Sequence, residues 1–279
     1  MSQPSLFEPE VPRPERFGAA VVRHLERSQI LTKANGSIRD FDYSLNPYIG
    51  CGFACTYCYA SFFQADQERF DTWGTWVEAK ANAVATLARV RNLKGKRVIM
   101  SSATDPYQPV EAKLELTRRI LETLAAPERQ PRIVVQTRGP LVVRDLDLLL
   151  RFDSKRVNMS ITTDSEAVRK RFEPSCASIE RRLEAISQVK EAGIETAICI
   201  MPMLPIENPA RFAKRILEVR PDHVYAGGFR ISDRPFAAST RPGALGVAKE
   251  LGWNPEEYRK TVIELKSRMP QLRASMTGW

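Results

Sequence analysis

Through the middle of the chain, short unbroken apolar runs rich in branched residues alternate with longer stretches in which apolar positions recur every three or four residues. The runs at 97–101 (RVIMS), 132–137 (RIVVQT), 157–162 (VNMSIT), 196–201 (TAICIM) and 223–226 (HVYA) have the length and composition of buried strands. Between them, ELTRRILETLA, VRDLDLLLRF, SIERRLEAISQVKEAG and ARFAKRILEV place leucine, isoleucine or alanine at helical steps, so each predicts a helix with one face on a sheet. Gly193 is a stop signal for the third of these. A strand at 41–45 and a helix around 76–90 bring the total to about six strand–helix units. This alternation predicts an α/β fold with a parallel sheet, either open and doubly wound or a partial barrel. In both forms function gathers where strands end. The segments that follow the strands (46–59, 102–111, 138–140, 163–164, 203–207 and 227–230) hold three clustered cysteines and much of the Pro, Gly and polar content.

With 279 residues, 43% of them hydrophobic, the chain can bury a sizeable core, and we expect residues 31–279 to form one domain. Residues 1–30 are expected to be an extended lead, because the proline-punctuated start has no apolar run of the signal-peptide kind. The segment 232–279 is expected to cover or complete a barrel mouth. It includes NPEEYRKTVIELKSRM, a helix with Asn254 as its cap and proline in its first turn. No apolar stretch is long enough to span a bilayer, so a cytoplasmic protein without a membrane partner is expected.

Composition alters this picture in two ways. Five cysteines, an odd number, argue against a disulfide framework and for thiols acting as ligands or nucleophiles in a reducing compartment. Lysine and arginine outnumber acids by 42 to 33, a net charge of +9 that suits either a polyanionic partner or an ordinary solvated surface. Arg89, Arg91, Lys94, Lys96 and Arg97, and Arg169, Lys170 and Arg171, are the clusters that would meet phosphates.

The stretch CGFACTYCYA carries Cys51, Cys55 and Cys58 in CxxxCxxC spacing, with Gly50 and Gly52 beside the first. Short gaps let one loop wrap its thiolates around an inorganic core, and glycine permits the close backbone approach. A structural zinc site needs a fourth Cys or His at finger-like spacing, which is missing here. An iron–sulfur cluster with one iron left open fits the count better, since an open position is how a metal site does chemistry.

CxxxCxxC also resembles the signature of the radical S-adenosylmethionine superfamily. DYSLNPYIGCGFACTYCYA, followed in order by SSATDPYQPVE, VQTRGP, SITTD and RFEPSCASIERRLEAI, is similar to its spore photoproduct lyase-like group, over most of residues 31–205. The resemblance implies a partial (β/α)6 barrel of the TIM type. It also implies a [4Fe–4S] cluster on Cys51, Cys55 and Cys58, with S-adenosylmethionine on the open iron. One electron, from a donor such as flavodoxin or ferredoxin, would then cleave a carbon–sulfur bond and release a 5′-deoxyadenosyl radical.

Carried over position by position, Ser102, Thr104, Asp105, Arg138 and Ser160 are candidates to contact S-adenosylmethionine. For residues 102–105 the competing reading is a plain turn, and for Ser160 a buried strand hydroxyl. Tyr57 and Tyr59 match tyrosines flanking the third cysteine in that group, one of which is implicated in relaying a hydrogen atom; shielding a cluster from water is the reading for Tyr57, and Tyr59 suits either role. The lyase's hydrogen-donating cysteine is replaced by Ser102, whose O–H bond is too strong to give a hydrogen atom readily to a carbon radical. Cys199, on one strand face with Ala197 and Met201, and Cys176, expected at a helix start, are the sulfurs left to replace it; the bland readings are a small buried hydrophobe and an ordinary first-turn residue. The expected activity is therefore radical attack on a substrate C–H bond, with a small molecule or peptide favoured over DNA as substrate. The alternative classes are modification of a nucleic-acid base and a non-catalytic iron–sulfur or zinc protein.

Overall fold

A computed structural model describes residues 15–232 and 239–274. Its strands are β1 (Glu15–Phe17), β2 (Ala20–Leu25), β3 (Leu31–Lys33), β4 (Tyr43–Leu45), β5 (Tyr48–Ile49), β6 (Trp76–Lys80), β7 (Arg97–Met100), β8 (Arg132–Thr137), β9 (Lys155–Ser160), β10 (Glu195–Ile200), β11 (His223–Ala226) and β12 (Leu272–Ala274). Eight of them form the main sheet in the order β12-β11-β10-β9-β8-β7-β4-β3. Every pairing in it is parallel except β3 with β4. Among the described residues β12 and β3 do not pair, so the sheet stays open, as a partial barrel requires.

Alternation along the strands divides the sheet into two chemically different faces. Val98, Met100, Ile133, Val135, Val157, Met159, Ile198, Ile200, Val224 and Ala226 are at most 1% exposed. Burying each such side chain contributes roughly 1.5–3 kcal/mol, which makes this face the core. The helix Ile179–Glu191 packs on β9 and β10. The opposite face carries Ser44, Gln136, Asn158, Ser160 and Cys199, and its polar groups bond to one another.

Side-chain caps set where several helices begin. The Ser178 hydroxyl accepts from Arg181 N at 3.3 Å, Asn208 Oδ1 from Arg211 N at 2.9 Å, and Asn254 Oδ1 from Glu256 N at 2.9 Å. The last of these opens the helix Pro255–Arg268 where the sequence pattern expects it. Within the C-terminal segment, β12 adds a further strand to the main sheet beside β11.

Two regions differ from the pattern reading or refine it. Residues 76–90 begin as β6, and helix occupies only Ala83–Ala88. The alternation in WVEAK buries Val77 and Ala79 while β6 pairs on both sides, with β2 and β5, so strand pairing overrides the helical period. In the expected lead, β1 and β2 belong to a second sheet of order β1-β2-β6-β5, and residues 1–14 lie outside the described residues. This second sheet feeds β5 directly into the cysteine loop.

Candidate active site

The loop after β5 closes through tight turns, with Ala54 N donating to Cys51 O and Cys58 N to Cys55 O, each at 3.2 Å. Gly50 and Gly74 have φ of +75° and +103°; a β-carbon would lie 2.5 Å from Trp76 O on the first and 2.4 Å from Ala54 Cβ on the second. Only glycine fits where β6 and its leading turn press on the loop. From the other side, wholly buried Gln108 accepts from Gly52 N at 2.7 Å and donates to Gly50 O at 3.4 Å. Cys51 and Cys55 are buried and Cys58 is half-buried, and all three thiols are free.

These thiols influence one another's ionisation. Burial pushes Cys51 well up, reinforced by Asp105, Cys55 and Cys58. Burial, then Cys55, pushes Cys58 up to about 11. Cys55 alone is lowered, first by the thiol of Cys176, whose Sγ lies 3.7 Å away, and then by Arg138 and Arg182 against its burial. Cys176 is thus 121 positions distant in sequence yet in contact with the loop. It sits in a turn before Ser178, the cap of the next helix, and not at a helix start as expected.

A largely buried ion network lies against the same loop. Glu173, with no exposed surface, accepts from Arg182 at 2.5 Å, Arg138 at 2.7 Å, the Thr162 hydroxyl at 2.8 Å and the Tyr57 hydroxyl. Burial alone would raise the Glu173 carboxyl, but Arg182, Arg138 and the Tyr57 bond prevail and hold it at about 2. The Arg138 guanidinium lies 5.6 Å from the centre of the Tyr57 ring. Its side chain is committed to Tyr57 and Glu173, which accounts for Arg138 without any bound cosubstrate.

The turn after β7 divides the expected contacts in two. Asp105 is buried; Oδ1 accepts from Thr137 Oγ1 at 2.6 Å and Tyr107 N at 2.9 Å, and Oδ2 from Arg138 N at 2.8 Å. These bonds are the plain-turn reading: Asp105 ties this turn to the end of β8. Ser102 Oγ lies 2.6 Å from Ser44 Oγ, and the Tyr59 hydroxyl donates to the Ser102 carbonyl. The Thr104 and Ser101 hydroxyls are buried with no hydrogen-bond partner. An unmet buried hydroxyl costs roughly 1–3 kcal/mol unless a ligand or water meets it.

Further along the polar face, Gln136 Nε2 donates to Ser160 Oγ at 3.0 Å, Asn158 Nδ2 to Gln136 Oε1 at 3.1 Å, and the Cys199 thiol to the same oxygen at 3.8 Å. Ser160 therefore has an in-chain partner, as its strand-hydroxyl reading holds. Asn158 Oδ1 is left without one. Burial pushes the Cys199 thiol up to about 12, so it remains protonated. Cys199 and Met201 do not share an environment: the first is 6% exposed and the second 42%.

The first basic cluster lies away from this centre, whereas Arg169 of the second is built into it. Arg89, Arg91, Lys94, Lys96 and Arg97 are exposed just before β7 or at its first residue, at the amino edge of the sheet. Arg169 is buried and bonded to Glu166 and to the Glu173 and Cys176 carbonyls, and Arg171 pairs with Glu250.

The residues present fit a cluster and its cosubstrate. Among the described residues no three His, Cys, Asp or Glu side chains gather as they would around one ion. A multi-iron cluster asks something else, one thiolate for each of three irons. Burial that disfavours bare thiolates is offset when cationic metal arrives, and the unmet Ser101 and Thr104 hydroxyls offer polar contacts beside the loop. Gln108, Glu173, Arg182 and Asn46, whose Oδ1 accepts from Ala103 N at 3.0 Å, shape the site and were given no role by motif reading. All four lie inside the quoted motifs, so their signal was present but chemically mute.

Comparison with known proteins agrees with this geometry. A protein of Methanocaldococcus jannaschii is 36% identical over 163 residues, 58% of this chain and 61% of that one. The chain thus spans about 61% of the length of that relative. Spore photoproduct lyase complexed with dinucleoside spore photoproduct shares the fold at a TM-score of 0.61 and 16% identity, covering 91% of this chain and 81% of the other. A radical S-adenosylmethionine methyltransferase from Kitasatospora setae, with tryptophan and a SAM analog bound, gives 0.50 and 13%, covering 81% and 51%. The characteristic sequence of the Radical SAM superfamily matches residues 45–218, from the last residue of β4 through the cysteine loop to the helix Pro209–Glu218. With the three-thiol loop at the carboxyl edge of an open parallel sheet, that match establishes that this chain belongs to the radical SAM superfamily.

Proposed function

We propose that the chain is a radical enzyme in which Cys51, Cys55 and Cys58 hold a [4Fe–4S] cluster and the turn after β7 receives S-adenosylmethionine. The observation that carries this reading is the pairing of a three-thiol loop with the unmet hydroxyls of Ser101 and Thr104 beside it. When bound, the cluster and cosubstrate supply one-electron cleavage of a carbon–sulfur bond and, from it, the power to abstract hydrogen from an unactivated C–H bond. The electron comes from a small carrier of the flavodoxin or ferredoxin kind.

The chain's own residues bind, orient and shield. Gln108 fixes the loop backbone on both sides of Cys51, Asp105 ties the turn after β7 to the end of β8, and the Glu173 ion network supports Tyr57. Thr104 and Ser102 are the side chains we assign to the cosubstrate, with Ser160 farther along the polar face. Asp105 and Arg138 act by holding the backbone that presents them. Tyr59 and Cys199 are the candidates for hydrogen transfer. Cys176 is withdrawn from that role, because its thiol is enclosed against Cys55 Sγ and Phe53 O.

A small molecule, or the tip of a peptide, is the favoured substrate. The polar face with its unmet Asn158 Oδ1 suits a compact polar group, whereas the exposed basic cluster before β7 is at the opposite edge of the sheet. The test is anaerobic reconstitution with iron and sulfide, addition of S-adenosylmethionine and dithionite, and analysis for 5′-deoxyadenosine. Formation of that product is expected; a reconstituted protein that yields no cleavage product overturns the reading.

A further inference from the structure

The segment from Phe172 to Cys176 lies along the cysteine loop almost residue for residue. Thr56 N donates to Phe172 O at 2.8 Å, Tyr57 donates to Glu173, and Cys176 Sγ stands 3.7 Å from Cys55 Sγ and 3.9 Å from Phe53 O. The position of Cys176 is itself fixed: Arg169 Nη1 donates to its carbonyl and to that of Glu173, both at 2.9 Å, and the residue is 7% exposed. A fourth thiol is therefore held against one ligand of the proposed cluster.

Chemistry decides which sulfur gives the hydrogen bond. As a metal ligand Cys55 is a thiolate and has no proton to give, so Cys176 alone can donate, and to a charged acceptor. The competing acceptor, Phe53 O, is neutral and farther away. Hydrogen bonds to ligand sulfurs are one of the levers that set an iron–sulfur potential, because drawing charge off the sulfur favours the more negative, reduced state.

We propose that Cys176 is a positioning residue whose thiol donates to the Cys55 thiolate and raises the potential at which the cluster accepts its electron. This rests on the proposed three-cysteine ligation and assigns a role to Cys176, a thiol that the ligation leaves unused. The effect requires no change in ligand count.

The test compares wild-type protein with the variants Cys176→Ala and Cys176→Ser, all reconstituted anaerobically. Iron content is measured, and the reduced cluster is followed by electron paramagnetic resonance against poised mediators. Expected are equal iron in all three, a more negative potential for Cys176→Ala, and recovery in Cys176→Ser, whose hydroxyl still donates. At a fixed poise the alanine variant should show a reduced-to-oxidised ratio lower on the order of tenfold, equivalent to about 59 mV for one electron. Equal potentials for alanine and wild type, or equal shifts in both variants, overturn the proposal. If only the alanine variant fails to load, the serine variant decides: a wild-type-like potential supports donation and a shift to the negative side refutes it. Loss of iron from both variants overturns it as well, since Cys176 would then retain the cluster and not tune it. Failure of the wild type to load refutes instead the ligation on which the proposal stands.

Discussion

Glu173 and Arg182 form an ion pair at 2.5 Å in which neither side chain has any exposed surface. The pair connects the segment that walls the cysteine loop with the helix Ile179–Glu191, in which Arg182 lies, and Arg138 joins it from the end of β8. Removing one member leaves uncompensated charge in the interior, the expensive way to break such a pair. Glu173→Gln is expected to cost about 3–5 kcal/mol, read from chemical denaturation of the variant against wild type. A loss below about 1 kcal/mol would show that the network contributes little to stability.

Acid stability follows from the same carboxylate. Its folded-state value near 2 lies below the ordinary 4.5, so its contribution is full above about 4.5 and is lost as pH falls toward 2. Stability measured from pH 6 down to pH 2 should fall less steeply across that window in Glu173→Gln than in wild type. Parallel curves would mean that Glu173 is not the titrating group.

Gly74→Ala tests how tightly the second sheet grips the loop. The added carbon would meet Ala54 at a φ that side chains avoid. Overpacking and backbone strain together predict a loss of at least about 2 kcal/mol, accompanied by lower iron uptake on reconstitution. Unchanged melting temperature and iron content would show that the loop can shift at no cost.

Hydrogen transfer separates from cofactor cleavage in two further variants. Cys199→Ala and Tyr59→Phe remove an S–H and an O–H while leaving the three proposed cluster ligands in place. Both should keep full iron and still form 5′-deoxyadenosine from S-adenosylmethionine and dithionite. If either loses iron or cleavage, its role is structural support of the cluster and not hydrogen transfer.

Charge reversal at Arg89 and Arg91 addresses the basic surface. Because these residues lie at the amino edge of the sheet, the double variant should leave 5′-deoxyadenosine formation unchanged, and wild type should bind DNA weakly at low salt. Tight binding that weakens steeply with salt and is lost in the double variant would support the nucleic-acid reading.

The parts of this fold that could be read in advance are those whose cause is local. β8 and β11 have the boundaries their apolar runs predict, and Asn254 caps its helix because the cap involves only the next few residues. WVEAK was misread because its strand character comes from partners remote in sequence, β2 above all. At the site, the three cysteines proposed as ligands were legible as a spacing, whereas the approach of Cys176 to Cys55 joins residues 121 positions apart and leaves no periodic trace. Asp105 illustrates a subtler limit: its motif singled it out, but only the bonds from Thr137 and Arg138 reveal that its carboxylate is used within the chain.

A cysteine loop walled in by a residue that follows it by 121 positions also has a schedule. On a ribosome adding about 5–20 residues per second, Cys55 waits roughly 6–25 s for Cys176 to be synthesised, and longer for Arg182. During that interval the three cysteines are displayed on a nascent chain without the wall that encloses them in the finished protein. Iron delivery is therefore best placed after translation has passed the helix Ile179–Glu191, and any chaperone guarding the unfinished pocket would need to recognise an open thiol loop, not a completed barrel.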